Sequence, residues 1–274
     1  MQTFLAPLGE LEEYHSIKNA CEKDAGVVQI AGCMDSQKTH LIYGLSQGKK
    51  YRLILAANEL KAREIYEDYR FFDPGVLYYP AKDLLFFQAD IHGNLLIRQR
   101  MQVIQALLER EEVTVFTSID GCMDYLMPLD KIQNRVLHFY NDSVIDMEQL
   151  KKSLVELGYE RVGQVEMPGQ FSVRGGIVDI YSLTEENPWR IELWGDEVDS
   201  IRSFDAESQR SLDNLEEIMI YPAAEKTLDK GMVSFLDYFP EEEALIFLDE
   251  PNRLTENGQA VEEEYQQSLM HREE

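Results

Sequence analysis

The first 130 residues alternate between short apolar runs and segments with helical periodicity. The runs lie at 27–31 (VVQIA), 51–56 (YRLILA) and 113–118 (VTVFTS), and each has the length of a buried strand. Between them, the segments 59–72 and 94–110 repeat apolar residues at helical spacing. Strands that alternate with helices predict an α/β domain of the doubly wound kind, built on a parallel sheet.

The connection after the first apolar run contains part of a phosphate-binding loop. In the pattern G-x-x-x-x-G-K-S/T, backbone amides hold the phosphates, the lysine reaches the outer phosphates and the hydroxyl holds magnesium. Gly32, Lys38 and Thr39 fit, but Gln37 stands where the second glycine belongs, and Asp35 adds a carboxylate inside the loop. The conformational freedom of the glycine is lost, and the carboxylate repels phosphate. We therefore expect a degenerate loop that binds no nucleotide, and no cofactor for this chain.

A second nucleotide-site remnant is predicted at 244–251 (ALIFLDEP). In a Walker B strand, an aspartate such as Asp249 would hold the metal and a glutamate such as Glu250 would orient water. The pattern alone is not specific, because many apolar strands end in acidic residues. Its place late in the chain predicts that residues after about 223 return to the first domain. The acidic stretch 255–274 is expected to be a solvated helix without its packing partner, in a chain that is part of something longer.

A second domain, of α+β type, is predicted between these parts. It begins with a strand at 135–140 and an amphipathic helix in 146–159, whose apolar stripe contains Leu150, Leu154 and Leu157. Gly158 follows in a helix C-cap position. Antiparallel hairpins and a strand at 216–223 complete the domain. The predicted division is therefore 1–130, 131–222 and 223–274, with the last segment truncated.

Two strands of this second domain direct arginines and a tryptophan to one face. In PWRIELWGDEV, the period of two separates Ile191 and Leu193 from Arg190, Glu192 and Trp194. Tryptophan and arginine are the residues most enriched among interface hot spots. The pattern therefore favours a surface that binds another protein.

The preceding strand repeats the arrangement and places Arg174 away from its apolar face. The pair at 175–176 (GG) permits a bulge or a close backbone approach, and the pair at 195–196 (GD) is typical of a tight hairpin turn with positive φ at the glycine. Two plainer interpretations stay open. Glu192 and its acidic neighbours pair with the arginines as a solvated face, or Trp194 is covered by another part of the domain.

The segment 169–210 resembles a module shared by the excision-repair helicase UvrB and the bacterial transcription-repair coupling factors (the Mfd family), with greater similarity to the latter. The resemblance rests on R-G-G before an apolar strand, P-x-R-I-E, G-D-E-V-x-S-I-R-x-F-D and S-Q-R-S. It implies docking onto UvrA through Arg174, Arg190 and Trp194, with Glu192 at the acidic position between the last two. UvrB has a further arginine where this chain has Ser172, so contacts of that arginine are not carried over.

The resemblance has further implications for the whole chain. It implies a RecA-like first domain with a decayed nucleotide site and an inserted UvrA-binding domain. A missing remainder would carry an RNA-polymerase-binding domain and an ATP-dependent DNA translocase, and would mask the UvrA-facing surface in the intact protein. The fragment itself is expected to be no enzyme.

Composition limits the partners and the compartment. The formal net charge of −25 repels nucleic acid over most of the surface. The three cysteines have no C-x-x-C spacing and the five histidines have no metal-like spacing, so we expect neither a disulfide framework nor a metal site. No window reaches the roughly 18 apolar residues of a membrane span. These features favour the cytoplasm and argue against a membrane partner.

Two other functions remain as alternatives. A P-loop ATPase or helicase fragment of the UvrB type would retain residual nucleotide binding. UvrB also inserts a long aromatic hairpin into DNA, but the aromatic pairs 78–79 and 86–87 of this chain have only Lys82 near them. A carboxylate-based hydrolase is the other alternative, and it rests only on the abundance of acidic residues.

Overall fold

The chain has a mixed α/β architecture in a computed structural model that describes residues 2–22, 26–82, 90–110, 112–224 and 231–270. The helices are α1 (Gln2–Gly9), α2 (Glu12–Glu22), α3 (Asp35–Leu45), α4 (Glu59–Tyr69), α5 (Asp90–Glu109), α6 (Ile119–Cys122), α7 (Leu129–Gln133), α8 (Met147–Glu156) and α9 (Pro251–Met270). The strands are β1 (Tyr51–Ala56), β2 (Leu77–Tyr79), β3 (Val113–Ser118), β4 (Tyr125–Leu126), β5 (Leu137–Tyr140), β6 (Glu160–Arg161), β7 (Gln170–Arg174), β8 (Ile177–Ile180), β9 (Trp189–Trp194), β10 (Glu197–Phe204), β11 (Ser211–Leu215), β12 (Glu217–Ile220), β13 (Val233–Ser234) and β14 (Ala244–Leu248).

The described residues form two compact units. The first unit lies within Met1–Ala81, Arg110–Asp124 and Phe239–Glu274, and the second lies within Lys82–Glu109 and Tyr125–Tyr238. The predicted division into 1–130, 131–222 and 223–274 stays a prediction.

The first unit is built on a parallel sheet with the strand order β14-β1-β3-β2. Tyr51 of β1 lies opposite Val113 on one side and Ala244 on the other. The predicted strands at 51–56, 113–118 and 244–248 are therefore confirmed, as is the parallel sheet. The late strand β14 lies beside β1 in this sheet.

An aromatic core holds α3 and α4 against one face of this sheet. Tyr43 of α3 and Tyr69 of α4 pack with Tyr78 and Phe116, and all four side chains are buried. Burying a side chain of this size stabilises the fold by about 1.5–3 kcal/mol. Helix α4 begins where Asn58 accepts a hydrogen bond from the Lys61 amide at 2.9 Å, a standard N-cap.

The predicted strand at 27–31 is wrong. The structure has no strand there, Val27 is 94% exposed, and Ile30 is exposed as well. Both sides of β1 are already paired, with β3 and with β14. Since the late strand β14 takes a position beside the central strand, the early apolar run is left outside the sheet.

The predicted C-terminal helix is confirmed as α9, but its expected lack of a packing partner is wrong for its first turns. Leu254 is buried, and Gly258 lies against Ile119 of α6. Residues 271–274 lie outside the described residues. Among the aromatic pairs, Tyr78 and Tyr79 are buried in β2, and residues 86–87 lie outside the described residues.

The second unit contains a six-stranded sheet with the order β11-β10-β9-β8-β7-β6. All neighbours in it are antiparallel except β6 and β7. Its apolar face buries Phe171, Ile180, Ile191 and Ile201. A separate antiparallel pair joins β12 to β5, so the predicted strands at 135–140 and 216–223 are confirmed within a few residues.

Helix α8 has the ends that its sequence predicts. The Asp146 carboxylate accepts hydrogen bonds from the amides of Glu148 and Gln149 at the start of the helix. At the other end Gly158 has φ of +95°, a conformation that glycine adopts without strain. The buried Leu150 and Leu154 form the predicted apolar stripe.

In the part of the chain that the structure describes, no helix has the length and apolar character needed to cross a membrane.

Candidate functional site

The strand register brings the four predicted docking residues onto one face of the six-stranded sheet. Arg174 lies opposite Ile177, which lies opposite Glu192 on its other side. Residues directly opposite each other in antiparallel strands share a face, and so do residues two apart in one strand. Glu192 therefore shares its face with Arg190 and Trp194. We call this side of strands β7 to β10 the docking face.

Trp194 is the most exposed large side chain of the docking face, at 84%. It ends β9, and the two residues after it make the turn into β10. Gly195 has the predicted positive φ, at +67°. The interpretation in which another part of the domain covers Trp194 is therefore wrong for the described residues. The hairpin leaves the indole in solvent.

A buried carboxylate that the sequence analysis missed organises the arginines. Asp179 of β8 is 0% exposed, although it belongs to an apolar run. It accepts hydrogen bonds from Arg174 Nη2 at 2.6 Å and from Arg190 Nε and Nη2 at 2.6 and 2.8 Å. A buried charge is stable only when it is paired and hydrogen-bonded. The aspartate in the apolar run IVDIY was the available signal, since such a residue needs a cationic partner.

Arg190 is held inside the second unit more tightly than an outward arginine would be. Besides its two bonds to Asp179, it donates to Gln209 Oε1 at 3.1 Å. Its guanidinium carbon lies 4.3 Å from the centre of the Phe204 ring, within the range of a cation–π contact. Hydrogen bonding to Asp179 raises the pKa of Arg190. The side chain is only 13% exposed, so Arg190 lies on the predicted face but offers little surface.

Arg174 has the opposite character. Its side chain is 46% exposed, and Asp179 is its ion-pair partner. It lies beside the turn at Gly175–Gly176, where Gly176 approaches the Leu193 carbonyl so closely that a Cβ would lie 2.9 Å from the oxygen. This confirms the predicted close approach. Arg174 therefore presents an oriented positive charge to solvent.

Glu192 pairs with an arginine outside the predicted set. It accepts a hydrogen bond from Arg202 Nη1 at 3.0 Å and another from Nη2, and it also accepts one from Ser200. The hydrogen bonds from Arg202 lower the pKa of Glu192. Three guanidinium groups thus face two carboxylates in this network, and Arg174 is the most exposed of the three arginines. Ser172 lies opposite Asp179 and is buried, so it adds no exposed group.

The loop predicted to be a degenerate phosphate loop lies in the first unit, and its residues bond to one another. Helix α3 begins at Asp35, ahead of Gln37 and Lys38. The amides of Gln37 and Lys38 donate to the Met34 carbonyl at 2.9 and 3.1 Å. The Gln37 side chain accepts from the Met34 amide at 3.2 Å. The amides of Met34, Gln37 and Lys38 are therefore already hydrogen-bonded within the loop.

The lysine of this loop pairs with the aspartate of the second remnant. Lys38 Nζ lies 2.8 Å from Asp249 Oδ1 and 3.0 Å from Asp35 Oδ1. Burial lowers the pKa of Lys38, but hydrogen bonds to Asp249 and Asp35 outweigh it and raise the pKa. Asp249 follows β14 and its side chain is 8% exposed. Gly32 has φ of +83° at the start of the loop, and Thr39 is buried in α3.

The Lys38–Asp249 pair gives a prediction about stability. Replacing Lys38 with methionine leaves the buried Asp249 carboxylate without its cation, so we expect a loss of about 1–3 kcal/mol in the free energy of unfolding. Urea unfolding followed by circular dichroism measures it. Lys61→Met is the matched control. Lys61 is equally exposed, at 22%, but its partners Asp35 and Glu64 are open to solvent at 62% and 55%. Equal losses in the two variants would contradict the prediction.

Comparison with known proteins identifies one domain family and many full-length relatives. The family described as the UvrB interaction domain matches residues 137–225, which include the docking face. A transcription-repair-coupling factor of Bacillus subtilis strain 168 is 35% identical over 228 residues, covering 82% of this chain and 19% of that protein. One from Staphylococcus aureus strain USA300 is 33% identical over 210 residues, covering 76% of this chain and 18% of the relative. The chain spans about a fifth of the length of these relatives.

Proposed function

We propose that this chain, a homologue of the transcription-repair-coupling factors that contains a UvrB interaction domain, recruits UvrA as a non-catalytic module. The observation that carries the proposal is Trp194, 84% exposed at the end of the β9–β10 hairpin, on the face that also holds Arg174. A tryptophan supplies a large apolar contact area at a small cost in conformational entropy, because its side chain has only two rotatable bonds. The matched family covers this face.

We assign different roles to the docking residues. Trp194 is the apolar anchor, and Arg174 supplies the exposed charge. Arg190 is a positioning residue, since its guanidinium is occupied by Asp179, Gln209 and Phe204. Glu192 acts through its pair with Arg202, which keeps the middle of the docking face ordered.

The first unit is proposed to be a RecA-like scaffold that hydrolyses no nucleotide, and the second to be its inserted UvrA-binding domain. A parallel sheet with β14 returning beside β1 supports this assignment. The loop amides bonded to Met34 and the lysine paired with Asp249 support the loss of the nucleotide site. A cofactor is therefore not part of the proposed function.

The remainder of the intact protein is proposed to bind RNA polymerase and to translocate on DNA with ATP, in the cytoplasm. The relatives are more than four times as long as this chain, which leaves room for these activities elsewhere. The net charge of −25 supports a chain that leaves DNA binding to other regions. In the intact protein, this remainder is proposed to cover the docking face.

Direct titration tests the proposal. Fluorescently labelled chain is titrated with purified UvrA, and we expect saturable binding that unlabelled chain displaces. Calorimetry with magnesium-ATP tests the alternative of a UvrB-type ATPase fragment, and we expect no binding at submillimolar concentrations. The proposed function would be overturned if the chain did not bind UvrA. It would also be overturned if the chain bound ATP and lost that binding with Lys38→Ala.

A further inference from the structure

We propose that Val144 is a second apolar anchor of the docking face, and that the partner surface opposite it is an apolar patch carrying one basic side chain. The inference rests on the proposed function. It extends the face beyond the strands in which the docking residues were predicted, to the loop at 141–145 that follows β5.

The register places Val144 in the same row as Trp194. Trp194 lies opposite Glu197 across the β9–β10 hairpin, and Glu197 forms an antiparallel bridge with Val144 on its other side. Directly opposite residues share a face, and neighbouring strands lie about 4.8 Å apart. Trp194, Glu197 and Val144 therefore lie side by side across three neighbouring backbone segments. The backbones of Trp194 and Val144 are about 10 Å apart.

Backbone hydrogen bonds hold the loop against β10. The Asp142 amide donates to the Val198 carbonyl at 3.0 Å, the Val198 amide donates to the Ser143 carbonyl at 2.8 Å, and the Ile145 amide donates to the Asp196 carbonyl at 2.7 Å. The Ser143 hydroxyl accepts from the Tyr140 amide at 3.0 Å. These hydrogen bonds tie the backbone around Val144 to the hairpin that carries Trp194.

Exposure and neighbours distinguish Val144 from an ordinary surface valine. Single exposed apolar residues are common and need no explanation. Val144 is 78% exposed, however, and it shares a row with a tryptophan that is 84% exposed. Asp142, two residues before Val144, has φ of +68°, a less favourable backbone conformation in the turn that leads to the valine. Two exposed apolar side chains held side by side on paired backbone segments are more typical of an interface than two unrelated exposed residues are.

The charge between the two apolar groups indicates the partner chemistry. Glu197 is exposed, and its carboxylate has no ion pair with any residue of the described ranges. A partner that covers Trp194 and Val144 must also cover this carboxylate. A buried carboxylate without a cation is costly, so the complementary patch of UvrA should carry a lysine or arginine at this point.

A matched pair of valine variants tests the inference. We expect Val144→Asp to raise the Kd for UvrA by about tenfold or more, and Val144→Ala to raise it by about fivefold. Val155→Asp is the control, because Val155 is 57% exposed in α8 of the same unit and lies outside the docking face. Glu197→Gln should weaken binding and reduce its dependence on salt concentration. Thermal unfolding of each variant identifies any loss of fold.

The outcomes separate this inference from the proposed function. Equal effects of Val144→Asp and Val155→Asp, in a chain whose UvrA binding is weakened by Trp194→Ala, would overturn the role of Val144 and leave the proposed function standing. An unchanged salt dependence in Glu197→Gln would overturn the basic side chain on the partner. A wild-type chain that does not bind UvrA would overturn both proposals.

Discussion

Replacing Trp194 with alanine is expected to weaken UvrA binding by about 2–4 kcal/mol, or roughly 30- to 1,000-fold in Kd. The indole is 84% exposed in the free chain, so a partner that covers it gains apolar burial without first displacing a neighbour. Titration of labelled chain with UvrA measures the loss. Trp194→Phe should fall between the wild type and the alanine variant, because it keeps an aromatic ring of smaller area.

The fold should tolerate this substitution. The Trp194 side chain contributes little to the core, so the free energy of unfolding should change by less than about 0.5 kcal/mol. Phe71→Ala is the control for binding, since Phe71 is 74% exposed but lies in the first unit, away from residues 137–225. A Trp194→Ala variant that binds UvrA as well as Phe71→Ala does would contradict the assignment of the anchor.

Replacing Asp179 with alanine is expected to destabilise the chain by about 3–5 kcal/mol. The carboxylate is 0% exposed and accepts three hydrogen bonds from two arginines. Its removal leaves the Arg190 guanidinium, whose side chain is only 13% exposed, without its counterion. Urea unfolding monitored by circular dichroism measures the change as a lower transition midpoint.

A second ion pair of the same face serves as the control for Asp179. Glu192→Gln breaks the pair with Arg202, whose side chains are 33% and 23% exposed, so its loss should cost less than about 1 kcal/mol. The double variant Asp179→Leu with Arg190→Leu should be more stable than Asp179→Ala, because no unpaired charge stays buried. If Asp179→Ala were no less stable than Glu192→Gln, the central role of the buried carboxylate would be wrong.

These two substitutions separate contact from positioning on one surface. Trp194 should affect affinity and hardly affect stability, while Asp179 should affect stability first and affinity through the arginines that it holds. Arg190 belongs with Asp179 in this respect. The sequence pattern puts Arg190 and Arg174 in one class. Both bond Asp179, and only the structure shows that Arg190 has further partners and is 13% exposed, whereas Arg174 is 46% exposed.

The local patterns of the sequence predicted most strands of the fold correctly. The strands at 51–56, 113–118 and 244–248 were confirmed because fully buried parallel strands appear as short apolar runs. The run at 27–31 has the same appearance and is no strand. An apolar run predicts that a segment will be buried. It does not predict which segment will pair with the central strand β1. Here β14 takes it, more than 200 residues later in the chain.

The docking face shows the same division. Alternation along β9 places Arg190, Glu192 and Trp194 on one side, and Gly195 makes the turn, because strand period and turn geometry are local properties. The ion-pair partner of each charged side chain is not a local property, because it comes from another strand or loop. Arg202 pairs with Glu192 from the neighbouring strand, and Val144 reaches the row of Trp194 from a loop 50 residues earlier.

The sequence by itself determined most of the helices and strands, which side chains of a strand share a face, and that the loop at 32–39 lacks the second glycine of a phosphate-binding loop. Only the tertiary structure decided that Asp179 is buried beneath two arginines, that Lys38 pairs with Asp249, and that Trp194 stays in solvent. The physical reason is the distance along the chain over which each effect acts. Periodicity and turn chemistry act over a few neighbouring residues, whereas the pairing of a charge and the covering of a side chain depend on which distant segments pack against them.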